Sequence, residues 1–318
     1  MPSPTRGEGT STAAARLGRE ERLSLPSRFA KRFAMTIPAD FLARRRKPSF
    51  KLPPNATDAH CHVFGPGDRF PYAPNRRYTP EDAPKEMLRA LHDYLGISRA
   101  VIVQASCHGI DNAAMMDCLT SDPKRYRGVA IVDDTFTDKD YDTLHAGGVR
   151  GVRFNFIKHL GGTPDMNVFY KVIDRIKGRG WHVVLHLGGA DIVPNMETIR
   201  KLPLTFVIDH MGRVPTTDDA DPAPFKALME LAKLPNCWIK VCGAERIAFP
   251  PYDRAVPVAR AIIAALPERT MWGTDFPHPN ATHEADEGEL VDLLPQFGDA
   301  AALKRVLVDN PARLYDFT

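Results

Sequence analysis

The stretch TDAHCHVF (57–64) alternates strictly: Asp58, His60 and His62 fall on one parity, Ala59, Cys61 and Val63 on the other. A period of two belongs to a β-strand with one polar and one apolar face. Pro53-Pro54-Asn55 precedes the run and Gly65-Pro66-Gly67 ends it, so breakers bound it on both sides. Short β-rich runs recur at 100–106, 127–132, 149–156, 181–187, 204–211, 237–243 and 270–276, giving eight in all. Helical patterns lie between them at 84–95, 112–120, 165–179, 222–234 and 254–266, and two more follow at 286–296 and 299–308. Eight strands alternating with helices over about 260 residues make a single-domain (β/α)8 TIM barrel, placed at 51–318. The rival α/β architecture, a doubly wound open sheet, wants a glycine-rich phosphate turn after its first strand. Neither GxGxxG nor a P-loop occurs.

In a barrel, alternate residues of each strand point to the axis, and chemistry gathers at the C-terminal ends. Counting by parity, the inward set is Asp58, His60 and His62 from strand one, Gln104 and Ser106 from strand two, and Arg153 and Asn155 from strand four. Strands five to eight add His186, His210, Lys240 with Cys242, and Asp275. A barrel built for stability alone would end in apolar layers, so this concentration of ionisable groups marks a site. His92, His145 and His283 fall in helices or loops and read as solvated, while His182 starts strand five and points to the barrel floor. His108, His159 and His278 follow strands two, four and eight on the active face as candidate contacts to substrate. Arg153, Arg213 and Arg246 converge on the same mouth. Guanidinium groups there bind carboxylates bidentately, which indicates an anionic, dicarboxylate-like ligand.

The net charge of +3 does not bear on that ligand. Residues 1–50 hold eleven Lys and Arg against four Asp and Glu, so this basic leader carries +7 and the rest of the chain −4. The leader reads as a flexible arm, a processed transit segment, or an early start with Met35 opening a shorter chain. Its basic residues have little aromatic interleaving and the domain behind it is acidic, which argues against nucleic acid. No apolar run approaches the roughly 18 residues of a membrane span. The Arg44-Arg45-Arg46-Lys47 run lacks the apolar stretch of an export signal. Five scattered cysteines without a CxxC pair suit reduced thiols and a cytoplasmic setting. The oligomeric state stays open.

The two ends of the barrel resemble the amidohydrolase superfamily (amidohydrolase family 2), in Asp58-Ala-His60-Cys-His62 and Gly273-Thr-Asp275-Phe-Pro-His278-Pro279. The chain is most similar there to the 2-pyrone-4,6-dicarboxylate lactonases and related lactonases. The matching motifs are DAHCHVFGP (58–66), VIVQASCHGIDNAA (101–114), RGVRFNF (150–156), GWHVV (180–184), VIDHMGR (207–213), WGTDFPHPN (272–280) and NPARLY (310–315). The resemblance implies that Asp275 is the general base on the attacking water. It implies that His60, His62 and His210 surround and polarise a lactone carbonyl. Ser106, Arg153, Arg213, Arg246 and Asn280 then match positions that hold the substrate's carboxylates.

Two positions depart from the pattern: Lys158-His159 stands where the basic pair has an arginine, and His186 where it has a tyrosine. Lactonases with the full pattern need no metal, whereas metal-dependent relatives carry the fifth-strand histidine. With it, His60, His62, His186 and Asp275 form a set for one Zn²⁺ or Mn²⁺, with His210 left as general acid/base or carbonyl polariser. The expected substrate is a small anionic lactone: pyrone dicarboxylate, muconolactone-like or a sugar-acid lactone. A metal-dependent non-oxidative decarboxylase or hydratase of the same superfamily is the alternative. A barrel used only for binding would show gaps in the catalytic set, and His60, His62, His210 and Asp275 leave none.

Overall fold

The structure, a computed structural model, describes residues 37–317 apart from the side chain of His159. Eight parallel strands run in sequence order: β1 (Thr57–Cys61), β2 (Arg99–Val103), β3 (Tyr126–Ala130), β4 (Val149–Asn155), β5 (His182–His186), β6 (Phe206–Ile208), β7 (Cys237–Lys240) and β8 (Thr270–Met271). The backbone of β8 and its extension closes onto β1: Ala59 N–H donates to Trp272 O, His62 N–H to Phe276 O, and Asp275 N–H to His60 O, each at 2.8 Å. The TIM barrel read from the sequence is the fold. Each strand starts within two residues of its expected position, but all eight end earlier. The unpaired remainders form the rim that carries the polar side chains.

Eleven α-helices are described: α1 (Lys85–Leu95), α2 (Ala113–Ser121), α3 (Asp138–Ala146), α4 (Met166–Ile176), α5 (Gly189–Arg200), α6 (Ala223–Ala232), α7 (Ala244–Ile247), α8 (Val256–Ala265), α9 (Glu287–Leu293), α10 (Ala300–Lys304) and α11 (Asn310–Tyr315). Helix α3 escapes hydrophobic periodicity because it buries only Tyr141 and Leu144. Its start is nonetheless encoded, since Thr137 and Asp140 form a capping box. Helix α5 is masked in the sequence by its internal Pro194.

The barrel axis is filled by Ala59, Val101, Val103, Val129, Val184, Val207, Trp238 and Met271, with Tyr315 and Phe317 as its floor. Gly151 leaves room there for His182, whose Nε2 would lie 2.8 Å from an added Cβ. His182 stacks edge-on with Tyr315 (centroids 5.0 Å apart), at the floor as expected. All five cysteines are buried and unpaired. Among the described residues, no helix is long and apolar enough to cross a membrane.

Two sequence readings are corrected by packing. His92 is fully buried rather than solvated, because α1 turns it inward beside Leu88, Leu91 and Leu95 to meet Asp58. The segment 37–50, grouped with the leader on its charge, packs on the barrel. Phe41 is buried, Asp286 accepts from Arg46 N–H, and Asp292 accepts from the N–H groups of Ser49 and Phe50. Residues 1–36, the rest of the expected leader, lie outside the described residues.

Candidate active site

Strict alternation fails in β1. Asp58 pairs with Ala100 but Cys61 with Ile102, so β1 spends one residue more than β2 between those points. This bulge re-aims the side chains. Asp58 leaves the axis and faces α1, accepting from His92 Nε2 (3.1 Å), Thr274 Oγ1 (2.5 Å) and the N–H groups of His60 and Thr274. It ties β1 to β8. Gln104 is likewise turned from the axis, which Val101 and Val103 occupy, and donates to the carbonyls of Gly109 and Asp111.

His60, His62, His210 and Asp275 converge and are all buried. Asp275 Oδ1 lies 3.3 Å from His62 Nε2, 3.6 Å from His60 Nε2 and 4.0 Å from His210 Nε2. Its other oxygen accepts from Arg246 Nε (2.7 Å) and Nη2 (2.5 Å). Burial pushes the Asp275 pKa up, but Arg246 first and the histidines next overcome it and hold the carboxyl well below its usual range. It is therefore ionised.

The His62 tautomer follows from its outer partner. His62 Nδ1 sits 2.7 Å from Val103 O, which only accepts, so the proton is on Nδ1 and Nε2 presents a lone pair. His60 Nδ1 lies 3.1 Å from Asp209 Oδ1, an acceptor, and 3.0 Å from Lys240 Nζ, a donor, so these partners do not single out one tautomer. Burial, with Lys240 adding to it, lowers the His60 pKa to about 4, so the ring is neutral. The His62 lone pair thus faces a carboxylate oxygen, and His60 Nε2 and Asp275 Oδ1 are buried without a hydrogen-bond partner. Two imidazole nitrogens and a carboxylate oxygen at such spacing fit a cation: tetrahedral ligation with bonds of about 2.1 Å has edges of about 3.4 Å. His186 does not join this set; its nitrogens lie outside the group of His60, His62 and Asp275. The four-ligand site expected from the sequence is thus reduced to three. His210 is placed differently. Its backbone is left-handed (φ 52°), its Nδ1 contacts only Cys242 Sγ (3.4 Å), and Nε2 is free to carry the proton.

Asp209 is the residue that the sequence reading missed. Val207 points to the axis, so Asp209 does too, and β6 ends before parity could be counted back from His210. Asp209 contacts His60 Nδ1, accepts from Arg153 Nε (3.0 Å), and lies 3.2 Å from Lys240 Nζ. Burial opposes its charge, yet Lys240, His60 and Arg153 hold its pKa well below normal. Lys240 stays charged: burial pushes its pKa down, but Asp209 more than restores it.

A cavity at the barrel mouth is lined by His62, His186, His210, Asp275, Arg153, Arg213, Arg246, Ser106, Asn280, Tyr78, Leu160 and Pro279. It offers about 20 Å³ to a water centre, room for one water. A groove of about 790 Å³ lies beyond Tyr78, Pro279 and Asn280, but it lacks the histidines and Asp275. Two of the three arginines are paired within the protein, Arg153 with Asp209 and Arg246 with Asp275. Arg213 has no carboxylate within salt-bridge distance among the described residues, and its Nε is buried without an acceptor. Burial and then Arg246 push its pKa down to about 10, still charged at neutral pH. His186 has no partner on either nitrogen. Tyr78, which no sequence motif flagged, closes the cavity near Ser106.

His278 is corrected. It does not line the cavity but lies between Glu245 (3.4 Å) and Glu287 (3.5 Å). Burial opposes its charge, but the two carboxylates raise its pKa to about 10. His108 accepts from Gly65 N–H, in a loop-building role. The side chain of His159 lies outside the described residues.

A barrel whose first strand ends in two histidines and whose last ends in an aspartate is the frame of an amidohydrolase. Residues 57–317 match the amidohydrolase family model, and the chain belongs to that family. It is 44% identical to a 2-pyrone-4,6-dicarboxylate hydrolase of Comamonas testosteroni, over 87% of this chain and 95% of that one. It is 38% identical to a 4-sulfomuconolactone hydrolase of Rhizobium radiobacter, over 86% and 94% of the two chains. A solved structure of a probable 2-pyrone-4,6-dicarboxylic acid hydrolase from Acinetobacter baumannii, with citric acid bound, superposes with a TM-score of 0.72 at 26% identity, over 83% of this chain and all of that one.

Proposed function

We propose that this protein is a lactone hydrolase that opens a small carboxylated lactone to an open-chain polycarboxylate. The observation that carries the reading is the single oxygen, Asp275 Oδ1, facing three imidazole Nε2 atoms in a cavity that also holds the unpaired Arg213. The two relatives act on lactones that carry anionic groups, a dicarboxylate and a sulfonate. Asp275 takes a proton from water, and the resulting hydroxide adds to the lactone carbonyl. His210, whose Nε2 is free to donate, hydrogen-bonds the oxygen on which charge develops. Collapse breaks the ring C–O bond, and the proton returns to the leaving oxygen. Arg213, with Ser106 and Asn280 beside it, binds a carboxylate of the substrate. Arg153 and Arg246 serve mainly to hold Asp209 and Asp275.

Asp275 is a weak base when two Arg246 nitrogens share its other oxygen. His60, His62 and Asp275 would hold a divalent cation such as Zn²⁺ or Mn²⁺, which when bound would acidify water and polarise the carbonyl. A six-membered ring exceeds one water in size, so Tyr78, Leu160 or Asn280 must shift on binding. The test is a panel of pyrone, muconolactone-type and sugar-acid lactones assayed for ring opening, with and without added Zn²⁺ and Mn²⁺. At least one carboxylated lactone is opened by the wild type and not by Asp275→Asn. An inactive wild type, or equal rates for the two proteins, overturns the reading.

A further inference from the structure

Asp275 stands at the start of a strained turn. Asp275, His278 and Asn280 all have left-handed backbones, with φ of 61°, 58° and 58°. Few residues with side chains adopt this conformation, and three within six positions persist only where their surroundings hold them. The surroundings here reach back to residues 37–50. Phe276, next to Asp275, is fully buried against Phe41 (ring centroids 6.1 Å apart). The guanidinium of Arg45 lies 4.0 Å from the Phe41 ring centre and 5.9 Å from that of Phe276. Its Nε donates to Glu287 Oε2 (2.9 Å), and its Nη1 to the carbonyl of Phe41 (2.6 Å). The other oxygen of Glu287 lies 3.5 Å from His278 Nε2, and His278 Nδ1 lies 3.4 Å from Glu245. His278 N–H donates to Asp275 O (2.7 Å), which completes the path from the strap to the catalytic turn.

We propose that Phe41 and Arg45, acting on Phe276 and through Glu287 on His278, are positioning residues that hold Asp275 in its working geometry. Phe41 and Arg45 are thereby part of the active-site scaffold. The chain of contacts is almost fully desolvated: Glu245 and Glu287 are about as buried as core leucines, and Arg45 is only one-fifth exposed. Charges placed so deeply are not incidental, because one unpaired member is costly. None of them lines the cavity around Asp275, although Phe41, Arg45 and Phe276 border the groove outside it. Their effect on Asp275 passes through the turn and through Glu245, which lies 3.3 Å from Arg246 Nε.

The rate arm of the test rests on the lactone reading, and the exchange arm does not. Arg45→Met keeps the apolar stem over Phe41 and Phe276 but drops the pairing with Glu287. It lowers kcat about ten- to a hundredfold, as expected for a misplaced base, while KM changes little. Arg45→Lys, which keeps a charge near Glu287, recovers part of the loss. Arg46→Met, on the same segment but with a side chain more than half exposed and turned to Glu289 and Asp292 rather than to Glu287, leaves kcat unchanged. In parallel, hydrogen exchange of the Asp275 and His278 amides rises about tenfold or more in Arg45→Met, with the amides of β2 to β4 unaffected. If Arg45→Met shows wild-type exchange at those two amides, the proposal is overturned. It is equally overturned if exchange rises uniformly, which denotes general loss of stability. If the wild type opens no lactone, the function fails while the exchange result still decides the strap.

Discussion

Asp209 and Lys240 form a fully buried ion pair at the centre of the barrel, and a double-mutant cycle across it gives the account a number. Their closest atoms are 3.2 Å apart. At an effective dielectric constant of about 20 this separation corresponds to about 5 kcal/mol of attraction, most of it offset by the cost of desolvating two charges. Removing one partner leaves the other buried and uncompensated. Asp209→Asn therefore destabilises the protein by about 3–5 kcal/mol, since it strands Lys240 and also weakens the hold on Arg153. Lys240→Met costs less, because Asp209 keeps Arg153 and His60. The double variant loses both charges together, and its total falls short of the sum of the singles by about 1–3 kcal/mol. Urea unfolding followed by the fluorescence of Trp181, Trp238 and Trp272, all buried, measures each corner of the cycle. Additive losses, within about 0.5 kcal/mol, would show that the pair is not coupled and refute the reasoning.

Further outcomes follow from the same geometry. Asp275→Asn lowers turnover by at least about 10²- to 10⁴-fold, measured as ring opening, while binding of a non-hydrolysed dicarboxylate persists. Gly243→Ala loses activity as well as stability, because Gly243 has φ +77° and an added Cβ would sit 2.8 Å from His210 Cβ; its Tm and kcat fall together. Stability against pH peaks near neutrality. His278 has its pKa raised from 6.5 to about 10, so its contribution is full below 6.5 and is lost as pH climbs through 10. His182, neutral in its buried place with a pKa lowered to about 3, adds the opposite limb, with stability falling as pH drops below 6.5. A Tm series in His278→Gln should flatten the alkaline limb alone. A chain beginning at Met35 keeps the strap and should turn over at the full-length rate.

Strands were legible because each alternates or runs apolar between breakers, and eight of them leave little choice of fold. The convergence of His60, His62, His210 and Asp275 was legible because all four sit at or just past strand ends. What failed was strict parity. The bulge in β1 cannot be seen in TDAHCHVF, so Asp58 was put on the axis when it faces His92. In β6 the count ran from His210, already beyond the strand, and Asp209 passed unnoticed. Partner choice is equally invisible in one dimension. Three arginines at a barrel mouth suggested a dicarboxylate-like ligand, yet Arg153 and Arg246 lie 3.0 and 2.5 Å from acids of the protein. His278 was likewise spoken for by Glu245 and Glu287. Residues 37–50 looked like a leader because their charge was counted and the burial of Phe41 could not be.

The central claim is that water is added across a lactone C–O bond at Asp275. The most direct measurement is turnover of a carboxylated lactone in ¹⁸O-water, with the product analysed by mass spectrometry and the headspace for CO₂. Hydrolysis predicts a single ¹⁸O in the newly formed carboxylate, no CO₂, and no labelled product from Asp275→Asn. An unlabelled isomer, or CO₂ released in step with substrate loss, would contradict it.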